Sequence, residues 1–214
     1  MKKTFIKVAA ILFLTTLTSC GVDMLNRIEG NNNVTSIKRD INTDFTKVRV
    51  STGIELIIQQ GSEISLTVEA DENLHDIIIT EVVDGKLKIY TEKNIWKSAA
   101  KRVYLTVNTI EELTASSGST VISESVLKAN NLDVSSSSGA NLTIEVAATN
   151  LISSTSSGSS LNLSGETTSH ETSASSGSSI TAYKLISKDV IAKVSSGASI
   201  SVYASSSIDG KASS

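Results

Sequence analysis

The tripeptide Ser-Ser-Gly recurs five times in the second half of the chain, with its glycine at Gly118, Gly139, Gly158, Gly177 and Gly197 and spacings of 21, 19, 19 and 20 residues. A period near 20 is the mark of a repeat architecture and outweighs local readings of secondary structure. Three positions after each glycine stands an aliphatic residue: Val121, Leu142, Leu161, Ile180 and Ile200. Five positions after stand Ser123, Ile144, Leu163, Ala182 and Val202, and seven before the last four glycines stand Leu132, Leu151, His170 and Val190. A period of two is therefore nested in a period of about 20. No single repeat can bury such columns alone, whereas stacked repeats can. The architecture that stacks them without intervening helices is a right-handed parallel β-helix with coils of about 20 residues, all-β in class. Glycine supplies the positive φ at a corner, and serine is small enough to stack on its copy in the next coil. A flexible Ser/Gly linker is the rival reading, and the regular aliphatic columns argue against it.

Upstream, from Phe45 to Thr109, apolar and polar residues alternate in short segments: Lys47–Ser51, Ile54–Ile58, Ile64–Val68, Leu87–Tyr90 and Arg102–Val107. These read as half-buried strands. Asp84-Gly85 is a tight-turn signal between two of them. Aromatic residues make up only 4% of the chain and proline is absent, so the core is one of Val, Ile and Leu. A net charge of -3 leaves no basic patch for nucleic acid.

At the N-terminus, Lys2, Lys3 and Lys7 precede an apolar run from Val8 to Leu14 that ends at Leu17-Thr18-Ser19-Cys20. This layout is that of a signal peptide over residues 1–19. The apolar run falls short of the roughly 20 residues of a permanent span. Leu-Thr-Ser-Cys resembles the bacterial lipobox, which implies lipidation of Cys20 and attachment to a membrane. As the sole cysteine, Cys20 has no partner for a disulfide. Two acyl chains give stable anchoring. Gly21 does not resemble the aspartate that retains enterobacterial lipoproteins at the inner membrane, so the outer membrane is the expected location, facing either the surface or the periplasm. Residues 20–43 read as a polar tether of little structure.

Residues 44–214 resemble a known family, the auto-transporter adhesin domain named head GIN, common in lipoproteins of Bacteroidetes. The resemblance is carried by Phe45–Val50, by Gly53–Ile58 with Gly61, by Val68–Leu74, by Gly85–Ile89, and by Leu113–Gly118 with its later copies. It implies a β-helical fold, a cell-envelope location and adhesion as the family label, and it brings no catalytic residues. The family's last coil continues through a further glycine and a closing strand. Here the chain ends at Asp209–Ser214, where that glycine is due, so an incomplete final coil with an open strand edge is expected.

Chemistry-bearing residues are few. Ser98-Ala99-Ala100-Lys101 and Ser125-Val126-Leu127-Lys128 match Ser-x-x-Lys but lack the companion motifs of acyl-transfer enzymes. His75 and His170 are the only imidazoles, and no Gly-x-Ser-x-Gly marks a nucleophile. His170 reads as a tolerated polar replacement in a coil wall, or else as a ligand. His75, in the acidic stretch Asp71–Asp76, reads as part of a solvated loop without metal-ligand spacing. Glu111-Glu112 reads as an exposed pair. Trp96 is either packed, the commoner fate of a lone tryptophan, or an aromatic platform contacting a sugar or partner.

The acids of the repeat zone, Glu124, Asp133, Glu145, Glu166, Glu171, Asp189 and Asp209, do not recur in one column, as a groove-based carbohydrate-active enzyme would need. The expected function is a non-enzymatic envelope lipoprotein that presents a β-helix surface to a protein or glycan, without cofactor or metal. A periplasmic regulatory or sensory module is the alternative, and a carbohydrate-active β-helix enzyme the second alternative.

Overall fold

The computed structural model of this protein describes residues 27–41 and 43–214. Cys20, the signal segment and the first part of the tether lie outside the described residues. The fold is an all-β parallel solenoid. Its strands are β1 (Ile28–Glu29), β2 (Val34–Arg39), β3 (Lys47–Val50), β4 (Glu55–Gln60), β5 (Ser65–Asp71), β6 (Ile78–Val83), β7 (Lys86–Thr91) and β8 (Ile95–Lys97). They continue with β9 (Lys101–Val107), β10 (Glu112–Ala115), β11 (Thr120–Ser123), β12 (Leu127–Ser136), β13 (Asn141–Thr155), β14 (Ser160–Ala174), β15 (Ser179–Val194) and β16 (Ser199–Ala212).

The Ser-Ser-Gly series forms the corners. In each, the second serine and the glycine both have positive φ, as at Ser157 (52°) and Gly158 (69°). Before the corner a strand belongs to one wall, and after it the chain enters a second wall. The corners also stack: the glycine N–H donates to the second serine's carbonyl in the next coil, as from Gly118 to Ser138 at 3.0 Å and from Gly158 to Ser176 at 3.1 Å. Gly53 donates to Ser117 in the same way at 2.9 Å, and Thr52 and Gly53 share the positive φ values. Thr52-Gly53 is thus the first corner of the series, hidden in the sequence because it stands about three periods, not one, before Gly118.

The stretch between Gly53 and Gly118 sets the order of the coils. After β3 and β4 the chain runs outward through β5 and β6, then returns as β7 and β9, which pair in parallel with β3 and β4. On their other edges β3 and β4 pair with β10 and β11, and the repeat coils follow. The coil latest in this stretch of sequence is therefore stacked outside the earlier one. The strands β5 and β6 are antiparallel to β9 and β7, and β2 is antiparallel to β5. These reversed strands cap the stack. The hairpin of β6 and β7 turns at Asp84 and Gly85, both with positive φ, as the tight-turn signal requires.

Inside, side chains line up in register from coil to coil. One column of the second wall runs Val103, Leu56, Val121, Leu142, Leu161, Ile180, Ile200. One of the first wall runs Leu87, Val48, Leu113, Val134, Ser153, Thr172, Ala192. Each aliphatic residue fully removed from water contributes about 1.5–3 kcal/mol before the entropy of ordering is set against it. The first-wall column changes character along the axis, from aliphatic at the capped end to Ser153 and Thr172 further on. Several buried hydroxyls are bonded at the corners: Ser119, Ser159 and Ser178, each following a corner glycine, donate to the carbonyl three residues back at 2.8, 2.8 and 2.7 Å.

Residues 27–41 depart from the expected tether. Val34–Arg39 forms an edge strand, and Ile28–Glu29 pairs with β8. The buried Asp71 carboxylate accepts N–H bonds from Asn32, Ala99 and Ala100, each at 2.9 Å. Burial works against its ionisation, but the N–H groups of Ala100, Asn32 and Ala99 outweigh it and hold the carboxyl below its ordinary value. A Cβ at Gly30 would fall 1.9 Å from the Asp71 carboxylate, so glycine is required there. The Arg39 guanidinium donates to the carbonyls of Ile78 and His75, tying β2 to the segment beneath it. None of these polar anchors produces an apolar period, which is why the stretch reads as unstructured.

Candidate interaction surface

Since the interior is filled, the chemistry available to a partner lies in the outward columns. On the second wall these follow the corner glycine by two, four and six residues. The first column is Thr120, Asn141, Ser160, Ser179, Ser199, and the second is Ile122, Thr143, Asn162, Thr181, Ser201. Over the repeat coils these two columns form an uncharged field, mostly of hydroxyls and amides, at a strand spacing of about 4.8 Å. Ser160 donates to the Asn141 side chain at 2.7 Å, a bond from one coil to the next.

The count of six gives Glu124, Glu145, Ser164, Tyr183 and Tyr203, but shifts in register break this column: Ser164 stands opposite Lys184, and Tyr203 opposite Ile186. Tyr183 and Tyr203 are 58% and 51% exposed on the last two coils; Ala182 pairs with Val202, and the register shifts beyond it. The Lys184 ammonium lies 5.9 Å from the centre of the Tyr183 ring. Sequence reasoning missed this pair. Extending the glycine-based count by one more outward position would have found it.

Trp96 is exposed, at 58%, contrary to the expectation that it packs. Its strand β8 is only three residues long and pairs with β1 rather than with the walls, so the ring has no sheet to fold onto. The Arg27 guanidinium lies over it, 4.0 Å from the ring centre.

The remaining candidates are structural. Ser125 Oγ accepts the Gln60 N–H at 2.8 Å, and the Lys128 N–H donates to the Gln60 side chain at 2.7 Å, so this Ser-x-x-Lys closes a corner. In the other, Lys101 donates to the Thr52 carbonyl at 3.1 Å, and burial pushes its pKa down. His75 is buried, not solvated. It sits in a 3-10 helix, Glu72–Ile77, with Nε2 2.9 Å from the Thr35 hydroxyl, because β2 covers it. Only Glu111 of its pair is exposed; Glu112 is half-buried in an ion pair with Lys86 at 2.6 Å.

His170 stands in register between Leu151 and Val190, inside the wall. Its Nε2 lies 2.8 Å from the Ser153 hydroxyl, which itself donates to Thr172. Ser153 has one hydrogen, so the imidazole is the donor through Nε2–H. Burial lowers the His170 pKa to about 4. Among the described residues no three His, Cys, Asp or Glu side chains form a metal-holding group. A shallow groove of about 400 Å³ crosses the coils over Ala129, Ala148, Thr167 and Ser205, and Glu166 is the one carboxylate in its lining.

Known proteins share this architecture. A crystal structure of a "putative adhesin" from Bacteroides fragilis superposes with a TM-score of 0.80 at 19% identity, covering 86% of this chain and 87% of that one. A "putative lipid binding protein" from Parabacteroides distasonis gives 0.69 at 19% identity, over 88% of this chain and all (100%) of that one. A "putative adhesin" from Parabacteroides merdae gives 0.65 at 16% identity, over 88% and 100%. At these identities the likeness is one of fold. No curated protein sequence matches the chain. The family model described as "Putative auto-transporter adhesin, head GIN domain" matches residues 44–214, the whole of the solenoid from just before β3, and the chain belongs to that family.

Proposed function

We propose that this protein is a non-enzymatic lipoprotein of the cell envelope, held at the outer membrane by lipid on Cys20, whose solenoid serves as an adhesin-like interaction module. The observation that carries this reading is the exposure of Tyr183 and Tyr203 on the last two coils, beside the Ser/Thr/Asn columns of the second wall. Flat aromatic faces beside hydroxyl and amide groups suit a neutral glycan, whose C–H faces stack while its hydroxyls exchange hydrogen bonds. The family description and the names of the relatives from Bacteroides and Parabacteroides support adhesion as the role. The groove with Glu166 lacks the paired carboxylates of glycoside hydrolysis, which supports a binding role over a hydrolytic one.

The test is a binding screen of the complete acylated chain against glycans and envelope proteins, beside a Tyr183→Ala/Tyr203→Ala variant, with protease shaving of intact cells. Glycan binding that the double variant loses while keeping its circular dichroism supports the reading. A surface-displayed protein that binds nothing defeats it, and a protein sealed from external protease is not an adhesin.

A further inference from the structure

We infer that the Trp96–Arg27 pair is a membrane-contact site, which seats the capped end of the solenoid on the headgroup layer of the bilayer that carries the anchor. The inference rests on the reading that Cys20 is lipidated. Only six residues separate Cys20 from Arg27. Even fully extended, that stretch reaches about 25 Å. The chain then enters β1, where the Ile28 N–H donates to the Asn94 carbonyl at 2.9 Å and the Gly30 N–H to the Lys97 carbonyl at 2.8 Å. The first described residues after Cys20 are thus bonded to the strand that carries the protein's one tryptophan.

The chemistry of the patch suits the bilayer interface. Trp96 is more than half exposed, and indole rings favour the headgroup level, where an apolar body and a polar N–H are both accommodated. The Arg27 guanidinium stacked on it presents donors to lipid phosphate. Lys93 and Lys97 are exposed beside it; Glu29, opposite Lys97 in register, and Glu92 offset two of these charges. Arg27 is the cation that the structure places on the tryptophan face. Seated this way, the solenoid points its repeat coils away from the membrane. The coil carrying Tyr203 lies six strand spacings beyond that of β9, roughly 29 Å along the axis.

The sole tryptophan makes the test direct. The full-length protein, expressed so that it is acylated, is reconstituted into phosphatidylethanolamine/phosphatidylglycerol vesicles with and without brominated acyl chains. Trp96 emission should shift to the blue, lose most of its intensity to the brominated lipid and resist iodide. Arg27→Glu, and separately Lys93→Glu/Lys97→Glu with unchanged circular dichroism, should weaken the lipid quenching and restore iodide access. Mass spectrometry of the N-terminal peptide reads acylation in the same samples. An acylated protein whose tryptophan ignores brominated lipid and is quenched by iodide overturns the inference and leaves the anchor standing. So does emission that responds to added glycan and not to lipid. An unacylated Cys20 brings down the anchor reading and the inference with it.

Discussion

His170 shows what a polar residue costs inside such a wall. In the unfolded chain its imidazole titrates near the ordinary value of 6.5, and in the fold near 4. Between those values the unfolded state binds a proton that the folded state refuses, so stability falls as pH drops from about 6.5 to about 4 and the contribution levels off below. The expected loss approaches about 3 kcal/mol across that window. His170→Leu, which restores the residue type of Leu151 above it, should remove this part of the pH dependence. Denaturant titrations from pH 4 to 7 on both proteins check it, and the difference between them cancels the carboxylates they share. Identical slopes would show that the imidazole is not the source. Asp71 is the opposite case, a carboxylate the fold wants charged. Asp71→Asn sets an amide against N–H groups of Asn32, Ala99 and Ala100. The expected cost is about 2–4 kcal/mol in denaturant midpoint experiments. Because the folded carboxyl is held below its ordinary value, its contribution persists at neutral pH and is lost only as acid protonates it below about pH 3.8.

At the level of elements, two glycines separate strain from crowding. Gly158 has φ +69° with nothing within 4 Å of an added Cβ, whereas Gly165 has φ +105° and its Cβ would fall 2.0 Å from the Val146 carbonyl oxygen. Gly158→Ala meets only the left-handed backbone penalty, about 1–2 kcal/mol. Gly165→Ala must also push one coil off the next, so its thermal midpoint should fall well below that of Gly158→Ala. Equal midpoints would show that the coils yield freely. Gly158 was legible from sequence because it recurs with its serines and aliphatic columns. Gly165 stands where its neighbours in register carry Val146 and Leu185, and no count from the corners predicts it. The same contrast explains the other gaps. Val121, Leu142 and Leu161 announce their column because burial imposes the period. Val34–Arg39 is held by backbone pairing and the polar anchors Asp71 and Arg39, which leave none. Trp96 reads as core by residue type, and only its three-residue strand, paired away from the walls, explains its exposure.

Across the whole molecule, packing is graded along the axis. Near the cap the inner columns are fully buried Leu56, Val48, Leu87 and Ile89, clamped by the antiparallel β5, β6 and β2. In the far coils the first-wall column passes to Ser153, Thr172 and Ala192, and Ile200 and Val202 of β16 are only partly buried. A solenoid's stability is close to a sum over coils and their interfaces, so each coil's opening reflects its local burial. Native-state hydrogen exchange should therefore show amides of β16 and then β15 exchanging first, with β3, β4 and β9 protected to the end. Uniform protection along the axis would mean a single cooperative unit and contradict the gradient. The gradient also matches mechanical need: if the cap sits at the bilayer, the firmest packing adjoins the anchor, where pull on a bound partner is borne. Tyr183 and Tyr203 ride on the last two coils, and under the proposed function small adjustments there would let their rings settle on an irregular ligand. Binding there should slow exchange in β15 and β16 above all, and slowing confined to the capped end would place the ligand elsewhere.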